Sequence, residues 1–113
     1  MNPDVAKYIE DIRISIEAIE SHMAGIIKLH QYENDLKTID SVERRLAIIG
    51  EALFKAEKLE KNLPVSNLRK IIGLRHILVH DYDLINDSTI FLIVKNDLPA
   101  LKSEVENILN NIS

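Results

Sequence analysis

From Val5 to Ile27 the apolar residues Val5, Ile9, Ile12, Ile16, Ile19, Met23 and Ile27 recur at steps of three and four. That spacing puts one apolar stripe along a helix and is incompatible with the two-residue alternation of a strand. Lys7, Glu10, Arg13, Glu17 and Glu20 occupy the opposite face, spaced for favourable charge pairs one turn apart. The pattern predicts a long amphipathic helix over 4–28, opened by Pro3 and Asp4. Residues 29–38 are polar and mixed, and read as a loop or a weak helical turn.

The same period returns twice more. Val42, Leu46, Ile49, Leu53 and Ala56 form the inner stripe of a second helix, with Asp40 and Glu43 as its capping box and an end near Glu60. Gly50 interrupts this helix at a cost of ~1 kcal/mol relative to alanine, which signals the close approach of a neighbouring backbone. Pro64 and a Ser66 cap open a third helix over about 66–80, which the polar turn Asp81, Tyr82 and Asp83 ends. Asn86 or Asp87 caps a fourth, with Ile90, Phe91, Val94 and Ile93 facing inward. Asp97, Leu98 and Pro99 read as a fresh start for a fifth helix reaching about Ile112. No segment alternates like a strand and no repeat or linker divides the chain. The expectation is one all-α domain over 1–113, an up-down bundle of four to five helices.

Composition narrows the chemistry. There is no cysteine, so disulfides, thiolate metal sites and cysteine nucleophiles are excluded. No run approaches the ~18 apolar residues of a membrane span, and Met1 to Asp4 lack the basic start of a signal peptide. A cytoplasmic protein without a membrane partner is expected. A net charge of −4 offers nucleic acid no global attraction, so any anion must be met locally. From Lys61 to His80 the charged residues Lys61, Arg69, Lys70 and Arg75 are all basic, between acid-rich flanks. That run suggests either an anion-binding patch or a solvated helix face.

Chemistry concentrates in the segment from Ile71 to Tyr82, where Arg75, His76 and His80 interrupt an apolar run. His76 and His80 lie one helical turn apart, as in zinc hydrolases. Ile77 stands where those enzymes need a glutamate, and no third ligand follows nearby. No metal and no cofactor are therefore expected. Arg75 and His80 instead suit metal-free phosphodiester cleavage. A histidine can take the proton of a ribose 2′-hydroxyl near neutral pH, and an arginine fork can hold two phosphate oxygens. Each role is typically worth ~10²-fold or more. Five residues apart on an ideal helix, however, the two side chains diverge by about 140°. They converge only if the helix ends or distorts near His80, or if a second subunit completes the site. Arg75 and Tyr82 would share a face if the helix continued past His80.

Arg75-x4-His80-x-Tyr82 resembles the signature of HepT-type HEPN ribonucleases. The likeness extends to IIGLRHILVHDYD at 71–83, IIGEA at 48–52 and VKNDLPALK at 94–102, and it is poor only over 29–38. The resemblance implies a HEPN-type homodimer whose paired Arg–His sites meet at a composite cleft, which would answer the 140° divergence. It also implies a metal-independent endoribonuclease acting on RNA, the toxin of a type VII toxin–antitoxin pair. A MntA-like minimal nucleotidyltransferase antitoxin would silence it by attaching AMP to Tyr82. In this reading Arg75 binds the phosphate and His80 is general base or acid. His76 stands where the family commonly has asparagine or another polar residue, and is an auxiliary candidate for phosphate contact. Glu51 is an auxiliary candidate for orienting Arg75, or else a surface carboxylate. His22 and His30 are expected to have no role. The alternative is a non-catalytic HEPN subunit that binds nucleotide or substrate for a nucleotidyltransferase.

Overall fold

The computed structural model describes residues 1–112, and among these there is no strand. Helix α1 spans Pro3–His22, α2 Leu29–Glu33, α3 Leu36–Leu59, α4 Leu68–His80, α5 Asp87–Leu92 and α6 Leu98–Ile112. The fold is an all-α up-down bundle in which α1 packs along α3, α6 packs on α1, and α4 lies on α3. Its core is the set of stripes read from the sequence. Val5, Ile9, Ile12, Ile16 and Ile19 of α1 meet Val42, Leu46, Ile49, Leu53 and Ala56 of α3, all essentially inaccessible to water. Leu98, Leu101, Val105 and Ile108 of α6 close the core from the other side. No helix is long and apolar enough to cross a membrane.

Four boundaries differ from expectation, each for a local reason. Helix α1 stops at His22 rather than reaching 28, and the chain reverses through Gly25 at a φ of +83°, a conformation that glycine adopts without strain. Ile27 therefore leaves the stripe and is 74% exposed. The polar segment that follows contains α2, whose start is held by Gln31 Oε1 accepting from the Ile27 and Lys28 amides. Tyr32 of α2 is fully buried against Phe91. Its burial, together with the nearby carboxylates of Glu43, Asp87 and Asp40, raises the phenol pKa and keeps it protonated.

Helix α3 starts earlier than the Asp40–Glu43 box. Asp35 is the cap, its Oδ1 accepting from the Thr38 amide at 3.0 Å, and Asp40 lies inside the helix. Ser66 does not cap α4 either: its amide and hydroxyl both donate to the Glu104 carboxylate of α6, and Asn67 occupies the cap position.

The break expected at Asp97 is absent. Residues Ile93–Asp97 form a π-helical turn that joins α5 to α6 without interruption, with the Leu98 amide donating to the Ile93 carbonyl. Pro99 has no N–H for the Lys95 carbonyl, and its ring would crowd that oxygen in a regular helix. Widening the turn by one residue removes the conflict while the helix continues.

Candidate active site

Helix α4 is laid on α3 at Gly50. A Cβ there would collide with the Cβ of Arg75 and sit 3.1 Å from the Ile71 carbonyl oxygen. The glycine inferred from the sequence to mark a close approach therefore meets the candidate arginine itself. With its stem pressed on the α3 backbone, Arg75 extends to the next residue of α3, and its Nη2 lies 2.6 Å from Glu51 Oε2. The contact is a close ion pair without hydrogen-bond alignment, because Oε2 is buried and has no partner of hydrogen-bond geometry. Lys55 Nζ stands 3.6 Å from the other oxygen of the same carboxylate. Glu51 is thus shared between two cations, and it restrains Arg75 while the arginine side chain as a whole stays 29% exposed.

Arg75 opens into a groove of about 440 Å³ between α1, α3 and α4. Arg44, Glu51 and Lys55 of α3 line it, with Lys7, Tyr8 and Asp11 of α1 and Val79 of α4. Of the basic run read from the sequence only Arg75 lines this surface. Arg69 pairs with Glu57 at 2.5 Å and Lys70 with Asp97 at 2.6 Å, so two of its cations are neutralised by neighbouring elements. Positive charge instead gathers across three helices. Arg44, Lys55 and Tyr8 were not singled out in the sequence. The i, i+4 spacing of Glu51 and Lys55 is the one local signal that could have linked Lys55 to this surface, and the α1 contribution has none.

His80 lies elsewhere. Helix α4 stays regular to His80 and ends at Asp81, whose amide donates to the Ile77 carbonyl at 2.9 Å. No distortion turns the imidazole toward Arg75, and His80 does not line the Arg75 groove. Its neighbour is His76, with ring centroids 4.9 Å apart, and His76 Nε2 is 3.7 Å from Asp81 Oδ2. Both histidines are exposed, as is Tyr82 at 74%. Tyr82 begins a 3₁₀ turn, Tyr82–Leu84, so the helix does not carry it onto the face of Arg75. One chain therefore presents two separate side-chain pairs on α4, Arg75 with Glu51 and His80 with His76. Among the described residues no three or more His, Asp or Glu side chains gather as metal ligands.

The all-α up-down bundle without strands among the described residues fits the HEPN fold. The chain belongs to the family described as Ribonuclease HepT-like, which matches residues 12–108. It is 34% identical over 102 residues to the "Probable ribonuclease HepT" of Thermococcus cleftensis, covering 89% of this chain and 92% of that protein. It is 32% identical over 104 residues to the "Putative RNase MJ1380" of Methanocaldococcus jannaschii, covering 91% and 94%. No solved structure matches the chain. Membership of this family supports a ribonuclease function, with RNA as the substrate class.

Proposed function

We propose that the protein is a metal-independent endoribonuclease toxin whose working form is a homodimer, with Arg75 binding the scissile phosphate and His80 moving the proton. The observation that carries this reading is the match to the ribonuclease family across 12–108, with Arg75, His80 and Tyr82 all lying in the matched region and all reachable from solvent. His80 takes the 2′-hydroxyl proton, the 2′-oxygen attacks the adjacent phosphorus as the bond to the 5′-oxygen breaks, and the 5′-oxygen takes up a proton from protonated His80 or from water. The products are a 2′,3′-cyclic phosphate and a new 5′-hydroxyl. Arg75 stabilises the charge that grows on the non-bridging oxygens. Glu51 acts through Arg75 as a positioning residue, and His76 stands beside His80 as a second contact for phosphate.

A single regular α4 separates Arg75 from His80, so the reading requires a second copy to bring one half-site to the other. Support comes from the exposed apolar side chains of Val79, Tyr82 and Leu84 at the end of α4, a surface of the kind that a partner covers. Tyr82, exposed and two residues from His80, is the point at which a MntA-like nucleotidyltransferase antitoxin would attach AMP. The bulky phosphate would then block the histidine.

The test is RNA cleavage in EDTA by protein with Tyr82 confirmed unmodified by intact mass. Wild type cuts, while Arg75→Ala and His80→Ala each lose at least about 10²-fold. An equimolar mixture of the two variants, allowed to exchange subunits, recovers activity if the sites are composite. Cleavage that survives His80→Ala refutes its role.

A further inference from the structure

The groove beside Arg75 carries features that phosphate binding at one arginine does not require. Its lining has four cations (Lys7, Arg44, Lys55 and Arg75) against the carboxylates of Asp11 and Glu51, a local positive excess in a chain of net charge −4. Arg44 is exposed and has no carboxylate within ion-pair distance among the described residues, so its charge is free for an external anion. Between these cations lies Tyr8, half-buried at the edge of the core, with Lys7 Nζ 5.3 Å and Lys55 Nζ 5.9 Å from its ring centroid. At those distances the lysines are loosely held over the ring, and such exposed cation–π contacts are weaker than base stacking. Lys7 and Lys55 also stand 3.6 Å from Asp11 and Glu51, long contacts at an exposed surface. An aromatic ring flanked by solvent-exposed cations in a groove of about 440 Å³ is a combination suited to holding single-stranded nucleic acid.

We propose that the α1–α3–α4 groove is a substrate subsite for single-stranded RNA, in which Tyr8 stacks one base of the strand while Lys55 and Arg44 hold phosphates leading to Arg75. The subsite rests on the ribonuclease reading, since it supplies the strand that Arg75 engages. Its cations lie on three helices that line one groove, so the path of the strand is fixed relative to the phosphate-binding arginine. Stacking on a lone tyrosine tolerates every base, because each base offers a π face. The subsite therefore selects unpaired RNA over duplex rather than one sequence over another.

The experiment measures fluorescence anisotropy with a 2′-O-methyl RNA strand of about ten nucleotides, long enough for one such groove and lacking the 2′-nucleophile, so that binding is read without cleavage. Tyr8→Leu weakens binding about 5- to 100-fold, Tyr8→Phe retains it, and the loss disappears on a strand of the same length whose bases are removed. Lys55→Gln and Arg44→Gln each weaken binding uniformly and lower the salt slope by about 0.7. A Tyr8→Leu protein with wild-type circular dichroism that binds as wild type does overturns the subsite. So does a loss that persists on the baseless strand, or AMP alone binding as tightly as the strand. The unmodified strand run in parallel separates the two readings. Tyr8-dependent binding without cutting upholds the subsite and overturns catalysis, and cutting with Tyr8-independent binding does the reverse.

Discussion

Helices α3 and α4 lie against each other and are built to opposite specifications. Of the 24 residues of α3 nine are buried, and the helix is held between α1 and α4, with Asp35 capping its start. Of the 13 residues of α4 only Ile71 and Leu74 are buried, and Asn67 gives its start no side-chain cap. The first helix is a scaffold and the second is a carrier. Every residue of the signature sits on the carrier or just beyond it, where an open face can meet RNA or another copy of the chain. The scaffold supplies Gly50 and Glu51, which decide where the arginine stands.

The contrast is tested most severely by removing volume from the scaffold. Leu53→Ala, at a site with no solvent access, is expected to cost about 2–5 kcal/mol in urea unfolding. A loss below about 1 kcal/mol would mean that α3 is not the rigid element described here.

The contact between the two helices comes next. Gly50→Ala gains about 1 kcal/mol of helix propensity but drives a methyl into the root of Arg75, which has no flexible end to move aside. Overpacking of this kind typically costs about 1–3 kcal/mol, so the net change is destabilising or near zero. Displacing Arg75 should lower RNA cleavage more than stability. Gly50→Ala with full activity and raised stability would break the link between the helix crossing and the site.

On the carrier the expectation inverts. Leu84, 69% exposed in the turn after α4, should tolerate serine within about ±0.5 kcal/mol when the protein is dilute and monomeric. The same change should weaken self-association in sedimentation. If Leu84→Ser unfolds the monomer, the turn belongs to the core after all.

The difference between the helices also explains what the sequence revealed. Stripes with a 3.6-residue period are dictated by burial, so Val42 to Ala56 and the α1 stripe could be read directly, and Gly50 foretold a close neighbour. Arg75, His80 and Tyr82 could be singled out as candidates because they share one short segment. The pairing of Arg75 with Glu51 was open, since nothing local says which turn of α3 an arginine of α4 will meet. The groove was hidden for the same reason, as Lys7, Tyr8, Arg44 and Lys55 come together only after three helices pack. The π turn escaped because a proline four residues after Lys95 admits two outcomes, a new helix or a widened turn. Burial of Ile93, Val94 and Leu98 along one continuous face favours the second.

The smallest effect separates the two helix starts. The Thr38 amide and side chain, both hydrogen-bonded to Asp35, hold the Asp35 carboxyl below its ordinary value. A lowered folded-state pKa means stability that is fully present above the unfolded value of ~3.9 and is lost as pH falls through the folded one. Asparagine caps as well as aspartate but does not titrate. Asp35→Asn should therefore leave the melting temperature near pH 7 almost unchanged and flatten its decline below about pH 4. The equivalent change at the α4 cap has no counterpart, because Asn67 makes no such bond. An acid limb with the same slope in wild type and variant would mean that the start of α3 is no better fixed than that of α4, and the capping difference between scaffold and carrier would fall.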